Sequence, residues 1–258
     1  MSTILFEVKD GIAFITFNRP AKLNSIGREM ADKFHDLLMQ CRERKDVRCL
    51  YVTGAGNAFC AGQDLSEVMN KDTNEMNLIL REQYNPIVYA IRTIEKPVIA
   101  AVNGVAAGAG ANIAFCCDVV LAASSAYFTQ AFANIALVPD TGGTYILPRF
   151  IGWQRASALM MLADKIPAQD AEEMGMIYRV FPDFSFKSET MKIAKRLAKM
   201  PTKTLGMIKH ALNKSVTNTF EQQLEVEDSF QRKALHSKDY KEGVTAFLEK
   251  READFKGE

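Results

Sequence analysis

Pro97-Val98-Ile99-Ala100-Ala101-Val102-Asn103-Gly104-Val105-Ala106-Ala107-Gly108-Ala109-Gly110-Ala111-Asn112 is the stretch that decides how this chain reads. An apolar, β-branched run from Pro97 to Val102 breaks at Asn103-Gly104, crosses a glycine and alanine segment, and resumes as an apolar helical pattern through Ile113, Ala114 and Phe115. That succession predicts a strand, a tight loop and a helix start. Side chains this small let the backbone come within hydrogen-bonding distance of a ligand. The first N–H groups of the following helix have no acceptor inside it, which suits an anion. Close packing of a helix on a sheet accounts for the same small residues equally well when they are taken alone.

Working outward, the same succession recurs. Upstream, Ile4–Val8 and Ile12–Phe17 flank Asp10-Gly11 and predict a hairpin. An irregular loop follows over Asn18–Ser25. From Arg28 to Arg44, Met30, Phe34, Leu37, Leu38 and Cys41 recur at helical spacing. Cys49–Thr53 is a buried strand, and Gly54–Leu65 is a second loop of small residues. A helix is expected from about Asn74 to Ile94, with Pro86 kinking it. Downstream come strands at Asp118–Ala122 and Ala126–Phe128, then Val138-Pro139-Asp140-Thr141-Gly142-Gly143-Thr144 leading into an apolar helix. Repeated β-loop-α segments predict an α/β fold of stacked units with right-handed crossovers. Beyond Gln154 helices take over, with Ile177–Val180 the single strand expected among them.

With 258 residues, 48% of them hydrophobic, and a net charge of +1, the chain reads as an ordinary globular protein with no general electrostatic pull toward nucleic acid or membrane. Met1-Ser2-Thr3-Ile4 enters a strand at once, with no basic region and apolar run after it, and a cytoplasmic protein is expected. Five cysteines, Cys116 and Cys117 adjacent, fit reduced core positions rather than a disulfide or zinc framework. No metal site is expected from His35, His210 and His236, which have no Cys or carboxylate at ligand spacing. Gly108-Ala109-Gly110 lacks the third glycine of a dinucleotide fingerprint, with Ile113 in its place.

Four segments then carry a resemblance. Asn18-Arg19-Pro20 with Leu23-Asn24, Phe59-Cys60-Ala61-Gly62-Gln63-Asp64-Leu65, Lys96 to Gly104, and Pro139 to Thr144 together resemble the enoyl-CoA hydratase/isomerase (crotonase) superfamily. The likeness extends to a tail at Glu242–Arg251. It implies a spiral of repeated ββα units over residues 1–195 and a helical trimerisation region over 196–258 that is not an independent domain. It further implies a homotrimer or dimer of trimers, an acyl-CoA thioester as ligand, and no permanently bound cofactor, coenzyme A arriving as part of the substrate. By motif position, the backbone N–H groups of Gln63 and Ala109 would form an oxyanion hole. Lys22, Leu23, Ala61, Asp64 and Leu65 would line the nucleotide end, Gly108 and Phe132 would join the substrate site, and Phe247 and Lys250 would complete it.

The carboxylates separate the activities within that family. Its hydratases use two glutamates, and the matching positions here hold Asn112 and Phe132, neither of which is a carboxylate acid or base. Asp140 stands where isomerase-like members carry theirs. Apolar neighbours Phe132, Leu137 and Val138 are expected to raise its pKa, although a solvated turn residue after proline is the bland alternative. The combination looks most like the members that isomerise ring 1,2-epoxyphenylacetyl-CoA in phenylacetate breakdown, with a shift of 3-enoyl-CoA to 2-enoyl-CoA as a second capacity. A general 3,2-enoyl-CoA isomerase or hydratase-like enzyme of fatty-acid oxidation and a catalytically silent acyl-CoA-binding subunit are the alternatives.

Overall fold

The computed structural model describes residues 2–69 and 78–258. The predicted hairpin forms from β1 (Ile4–Lys9) and β2 (Ile12–Phe17), antiparallel from Ile4↔Phe17 to Lys9↔Ile12. Asp10 and Gly11 both take positive φ, 53° and 76°, the geometry a two-residue turn needs to match strand twist. β2 then pairs in parallel with β3 (Cys49–Gly54), and β5 (Val98–Val102), β7 (Val119–Ala123) and β10 (Arg179–Phe181) extend a six-stranded sheet in the order β1-β2-β3-β5-β7-β10. All five residues of β5 are buried, as expected of a parallel strand covered on both faces.

A second sheet draws on both segments read as loops and on the strand expected at Ala126–Phe128. β4 (Ala58–Cys60), β6 (Val105–Ala107), β8 (Tyr127–Thr129) and β9 (Lys165–Pro167) form it, in the order β4-β6-β8-β9. Its strands have three residues each, too short for alternation to show in sequence. The repeating unit is therefore ββα: the chain leaves the large sheet, adds a short strand to the small one, and enters a helix. Ile177–Val180 is likewise not the single late strand, because β9 precedes β10.

The crossings between sheets depend on glycine. A Cβ on Gly104 would stand 2.0 Å from the Asn57 carbonyl oxygen, and one on Gly110 would stand 2.3 Å from that of Cys60. Neither backbone can swing aside as a side chain can. Gly110→Ala is expected to cost about 1–3 kcal/mol from overpacking, read as a lower urea midpoint with unchanged slope.

Helix Arg28–Glu43 buries Met30, Ala31, Phe34, Leu38 and Cys41, and Phe34 meets Phe17 edge-on at 5.0 Å. Of the helix expected from about 74, residues 74–77 lie outside the described residues. Pro86 sits in the first turn of helix Asn85–Thr93, just after a π turn at Leu80–Tyr84, where a missing N–H is tolerated. Helix Asp183–Lys199 packs on β2, β3, β7 and β10, and Tyr51 Oη lies 2.8 Å from Thr190 Oγ1. A core boundary at 195 falls within this helix. Helices Thr202–Ser215, Phe220–Leu235 and Lys238–Glu249 follow. No helix among the described residues is long and apolar enough to cross a membrane. All five cysteines are free and buried, and burial pushes the Cys60 and Cys116 thiols up to about 12, which leaves them protonated and unreactive.

Candidate active site

β4 and β6 are parallel neighbours, Ala58 opposite Val105 and Cys60 opposite Ala106. The segments that follow them, Ala61-Gly62-Gln63 and Gly108-Ala109, therefore emerge side by side. A Cβ on Gly62, whose φ is +91°, would stand 2.8 Å from the Ala107 carbonyl oxygen and 3.5 Å from the Ala109 nitrogen, so only glycine lets the two loops close up. The Gln63 turn is held to residue 26: the Ile26 N–H donates to the Gly62 carbonyl at 2.7 Å and the Asp64 N–H to the Ile26 carbonyl at 2.9 Å. Between those two bonds, the Gln63 N–H meets no acceptor among the described residues. Neither does the Ala109 N–H, the first of helix Ala109–Cys116, as the geometry of a helix start dictates. Two unspent backbone donors thus sit on adjacent loops.

The same helix holds Asp140. Asn112, one turn on from Ala109 and 1% exposed, donates from Nδ2 to the Asp140 carbonyl oxygen at 2.8 Å, and its Oδ1 accepts from Gln130 Nε2 at 2.8 Å. The Gly143 N–H donates to that same Asp140 carbonyl at 2.8 Å. A Cβ on Gly143 would lie 2.4 Å from Asn112 Nδ2, so glycine and asparagine are matched across the contact. Thr141 and Gly142 take positive φ, 54° and 79°, and the Thr141 hydroxyl donates to Asp140 Oδ1 at 2.6 Å. Burial raises the Asp140 carboxyl above its ordinary range, with the Thr141 bond partly opposing the rise. That is unlike a solvated turn. Of the apolar neighbours expected to cause the shift, Leu137 and Val138 are themselves 55% and 77% exposed. Phe132 is buried, its ring against Gly108.

The residues expected at the nucleotide end form a second cluster. Asp64, 5% exposed, accepts from Arg19 at 2.7 Å, Lys22 at 2.9 Å, and the Ser66 hydroxyl and N–H at 2.6 and 3.1 Å. Burial alone would raise its pKa, but the Ser66, Lys22 and Arg19 bonds win and hold it well below the carboxylate range. Its carboxylate also caps helix Leu65–Val68, and the Ala61 N–H donates to the Leu23 carbonyl at 3.0 Å. Lys22, Leu23, Ala61, Asp64 and Leu65 are thereby gathered around the Gln63 turn. Phe247, 83% exposed, and Lys250 lie at the C-terminal helix, which packs on Phe220–Leu235 and is not drawn into this cluster. A basic cleft lined by Arg44, Arg48, Lys96 and Lys203 contains none of these residues. Its Lys96 is spent on the carbonyls of Cys41, Arg42 and Arg44.

Sequence reading passed over Arg19, Gln130 and Tyr84. Arg19 had a visible signal, its place in Asn18-Arg19-Pro20, whereas Gln130 and Tyr84 are single polar residues in apolar surroundings with no spacing to mark them.

Residues 7–258 match the family model described as Enoyl-CoA hydratase/isomerase. The chain is 44% identical over 260 residues to the 1,2-epoxyphenylacetyl-CoA isomerase of Escherichia coli, covering 100% of this chain and 99% of that protein. It is 42% identical over 255 residues to a "Probable enoyl-CoA hydratase" of Rhodobacter capsulatus, covering 99% and 98%. Among solved structures, the enoyl-CoA hydratase of Bacillus anthracis superposes with a TM-score of 0.96 at 30% identity, covering 100% of both chains. The two mixed sheets and the helical C-terminal part are those of the crotonase fold.

Proposed function

The chain belongs to the enoyl-CoA hydratase/isomerase family, whose members act on CoA thioesters, and from that premise we propose that it is an acyl-CoA isomerase with Asp140 as its acid/base. Its preferred substrate is ring 1,2-epoxyphenylacetyl-CoA, converted to the oxepin-CoA, and it also shifts 3-enoyl-CoA to 2-enoyl-CoA. The observation that carries this reading is Asn112: both ends of its amide are spent on Gln130 and on the Asp140 turn, so the position that serves water addition in hydratases here holds the isomerase carboxylate in place.

In the proposed mechanism the ionised Asp140 removes a proton from C2 of the acyl group. Negative charge then develops on the thioester oxygen, and the Gln63 and Ala109 N–H groups stabilise it more in the transition state than in the ground state. For a 3-enoyl-CoA the same carboxyl returns the proton at C4. Coenzyme A enters only as the substrate's carrier, with Lys22, Leu23, Ala61, Asp64 and Leu65 toward its nucleotide end and Gly108 and Phe132 beside the acyl group. Exposed Phe220, Phe247 and Leu248 on the C-terminal helices, 74%, 83% and 73%, support a homotrimer in which Phe247 and Lys250 complete a site. Five protonated, buried thiols fit a cytoplasmic setting.

The test is product identification with enzymatically generated ring 1,2-epoxyphenylacetyl-CoA, with 3-hexenoyl-CoA and with 2-hexenoyl-CoA. Isomerisation leaves the mass unchanged, whereas hydration adds one water. The expected result is isomerised product from the first two substrates, faster from the epoxide. Faster turnover of 3-hexenoyl-CoA selects the general enoyl isomerase, water added to 2-hexenoyl-CoA as the main reaction selects the hydratase, and tight binding without turnover selects a silent subunit.

A further inference from the structure

Thr141 is a β-branched residue at φ +54°, a left-handed conformation that such residues keep only where their surroundings impose it. It is buried and directly follows Asp140, so whatever imposes this turn also places the carboxylate. One bond comes from within the turn, from the Gly143 N–H to the Asp140 carbonyl at 2.8 Å. A second comes from outside it, from Asn112 Nδ2 to the same carbonyl at 2.8 Å. Asparagine alone does not secure that second bond. Its amide keeps the same shape after a half turn about its last bond, and the turned amide would set Oδ1 against the carbonyl, acceptor against acceptor.

Gln130 removes that freedom. It follows β8 directly, is 1% exposed, and donates from Nε2 to Asn112 Oδ1 at 2.8 Å. The polarity of the chain runs one way. A backbone carbonyl only accepts, so Asn112 must offer Nδ2 to Asp140 and Oδ1 to Gln130, and Gln130 must offer Nε2 in its turn. The chain ends on Gln130 Oε1, which is buried and has no partner among the described residues. Buried acceptors are rarely left so, and here the orientation that leaves it unpaired is the one that keeps Asn112 facing Asp140. We propose that Gln130 is a positioning residue: it fixes which way the Asn112 amide faces and, through it, the Asp140 turn. The inference rests on the reading of Asp140 as the acid/base of an acyl-CoA isomerase. Gln130 moves no proton and acts through Asn112 alone. Its effect on the rate comes from alignment, to which proton transfer from a bound substrate is steeply sensitive.

Gln130→Met deletes the donor, and the unpaired oxygen with it, at nearly constant volume. Asn112→Leu deletes the outer bond to the Asp140 carbonyl. On the full chain, each single variant is expected to lose about tenfold in kcat on the ring epoxide and on 3-hexenoyl-CoA, the scale of one hydrogen bond. The Kd of phenylacetyl-CoA should stay within about twofold of the parent. The double variant should lose the same factor of about ten rather than about a hundred, because Gln130 has nothing to act on once Asn112 is gone. A residue that merely packs would act whether or not Asn112 is present, and the two losses would multiply. Amide hydrogen exchange over residues 140–146, followed by mass spectrometry, gives a second readout: it should quicken in each single variant and no further in the double. Losses that multiply, a Gln130→Met rate within about twofold of the parent, or unchanged exchange overturn the proposal while the isomerase reading stands. Should Gln130→Met not fold, Gln130→Asn, which keeps an amide but falls one methylene short of Asn112, takes its place with the same expected values. If the parent isomerises neither substrate, that reading falls by itself, and exchange decides Gln130: quickening in each single variant with none added in the double upholds the positioning role, and any other pattern overturns it.

Discussion

Asp140→Asn is expected to bind acyl-CoA as the parent does and to turn over neither the epoxide nor 3-hexenoyl-CoA at a measurable rate. A positioned general base contributes about 10²–10⁴-fold, and here no second carboxylate stands at 112 or 132 to share the task. An amide at 140 keeps an oxygen to accept from the Thr141 hydroxyl, and the backbone carbonyl that Asn112 and Gly143 hold is untouched. The loss should therefore fall on kcat, with ligand affinity preserved. In the proposed mechanism activity needs the ionised form, so in the parent it should fall as the pH drops through the raised Asp140 pKa, giving an acid limb above the ordinary carboxylate range. Stability carries the opposite sign. A folded pKa above the unfolded one means that stability declines as pH rises from the unfolded value through the folded value, and the ionised carboxylate remains a cost at neutral pH. Asn carries no such cost. The variant should match or exceed the parent in urea midpoint at pH 7, with the gain shrinking in acid. Turnover within tenfold of the parent would remove Asp140 from the mechanism.

That combination of lost activity and retained stability also marks which parts of this molecule a sequence can disclose. The hairpin was legible because Asp10-Gly11 is a turn pair between two apolar runs, and helix Arg28–Glu43 because its buried residues repeat at helical spacing. β4 and β6 were not, since three residues of alanine, valine, phenylalanine and cysteine carry no period and their glycines look like loop. They are nevertheless what sets the Gln63 and Ala109 segments side by side. Asn112 was visible as a departure from the hydratase pattern, but its bond to the Asp140 carbonyl spans 28 residues of sequence and depends on Gly143 leaving room for it. The Asp140 turn was readable as a motif. Its burial was not, and of the neighbours named as the cause Phe132 is buried whereas Leu137 and Val138 are largely exposed. Sequence supplies periodicity and turn chemistry; long-range contacts between single polar residues leave no local trace.

Ala109→Pro is the second large effect, and it separates a backbone role from a side-chain one. The Ala109 N–H is the first of its helix and has no acceptor among the described residues, so deleting it breaks no structural bond, and proline is tolerated at this position. The residue before it is Gly108, with φ +51° and ψ −124°, which brings no Cβ to clash with the proline ring and is not the helical conformation that proline disfavours in its predecessor. Removing one oxyanion donor costs about 10²–10³ in kcat, or about 2.7–4 kcal/mol of barrier. Because the charge on the thioester oxygen is largest in the transition state, the loss should fall on kcat, while affinity for a saturated acyl-CoA changes little. Far-UV circular dichroism should show the helix retained. Ala109→Gly keeps the N–H and is expected to keep most of the activity, losing only what added backbone freedom removes. If the proline variant retains its fold and its rate, the proposed donor is elsewhere. If proline and glycine reduce the rate alike, a disturbed backbone at this position rather than the missing N–H is responsible. Only a large loss confined to proline assigns the thioester oxygen to the backbone between β6 and the helix that also holds Asp140.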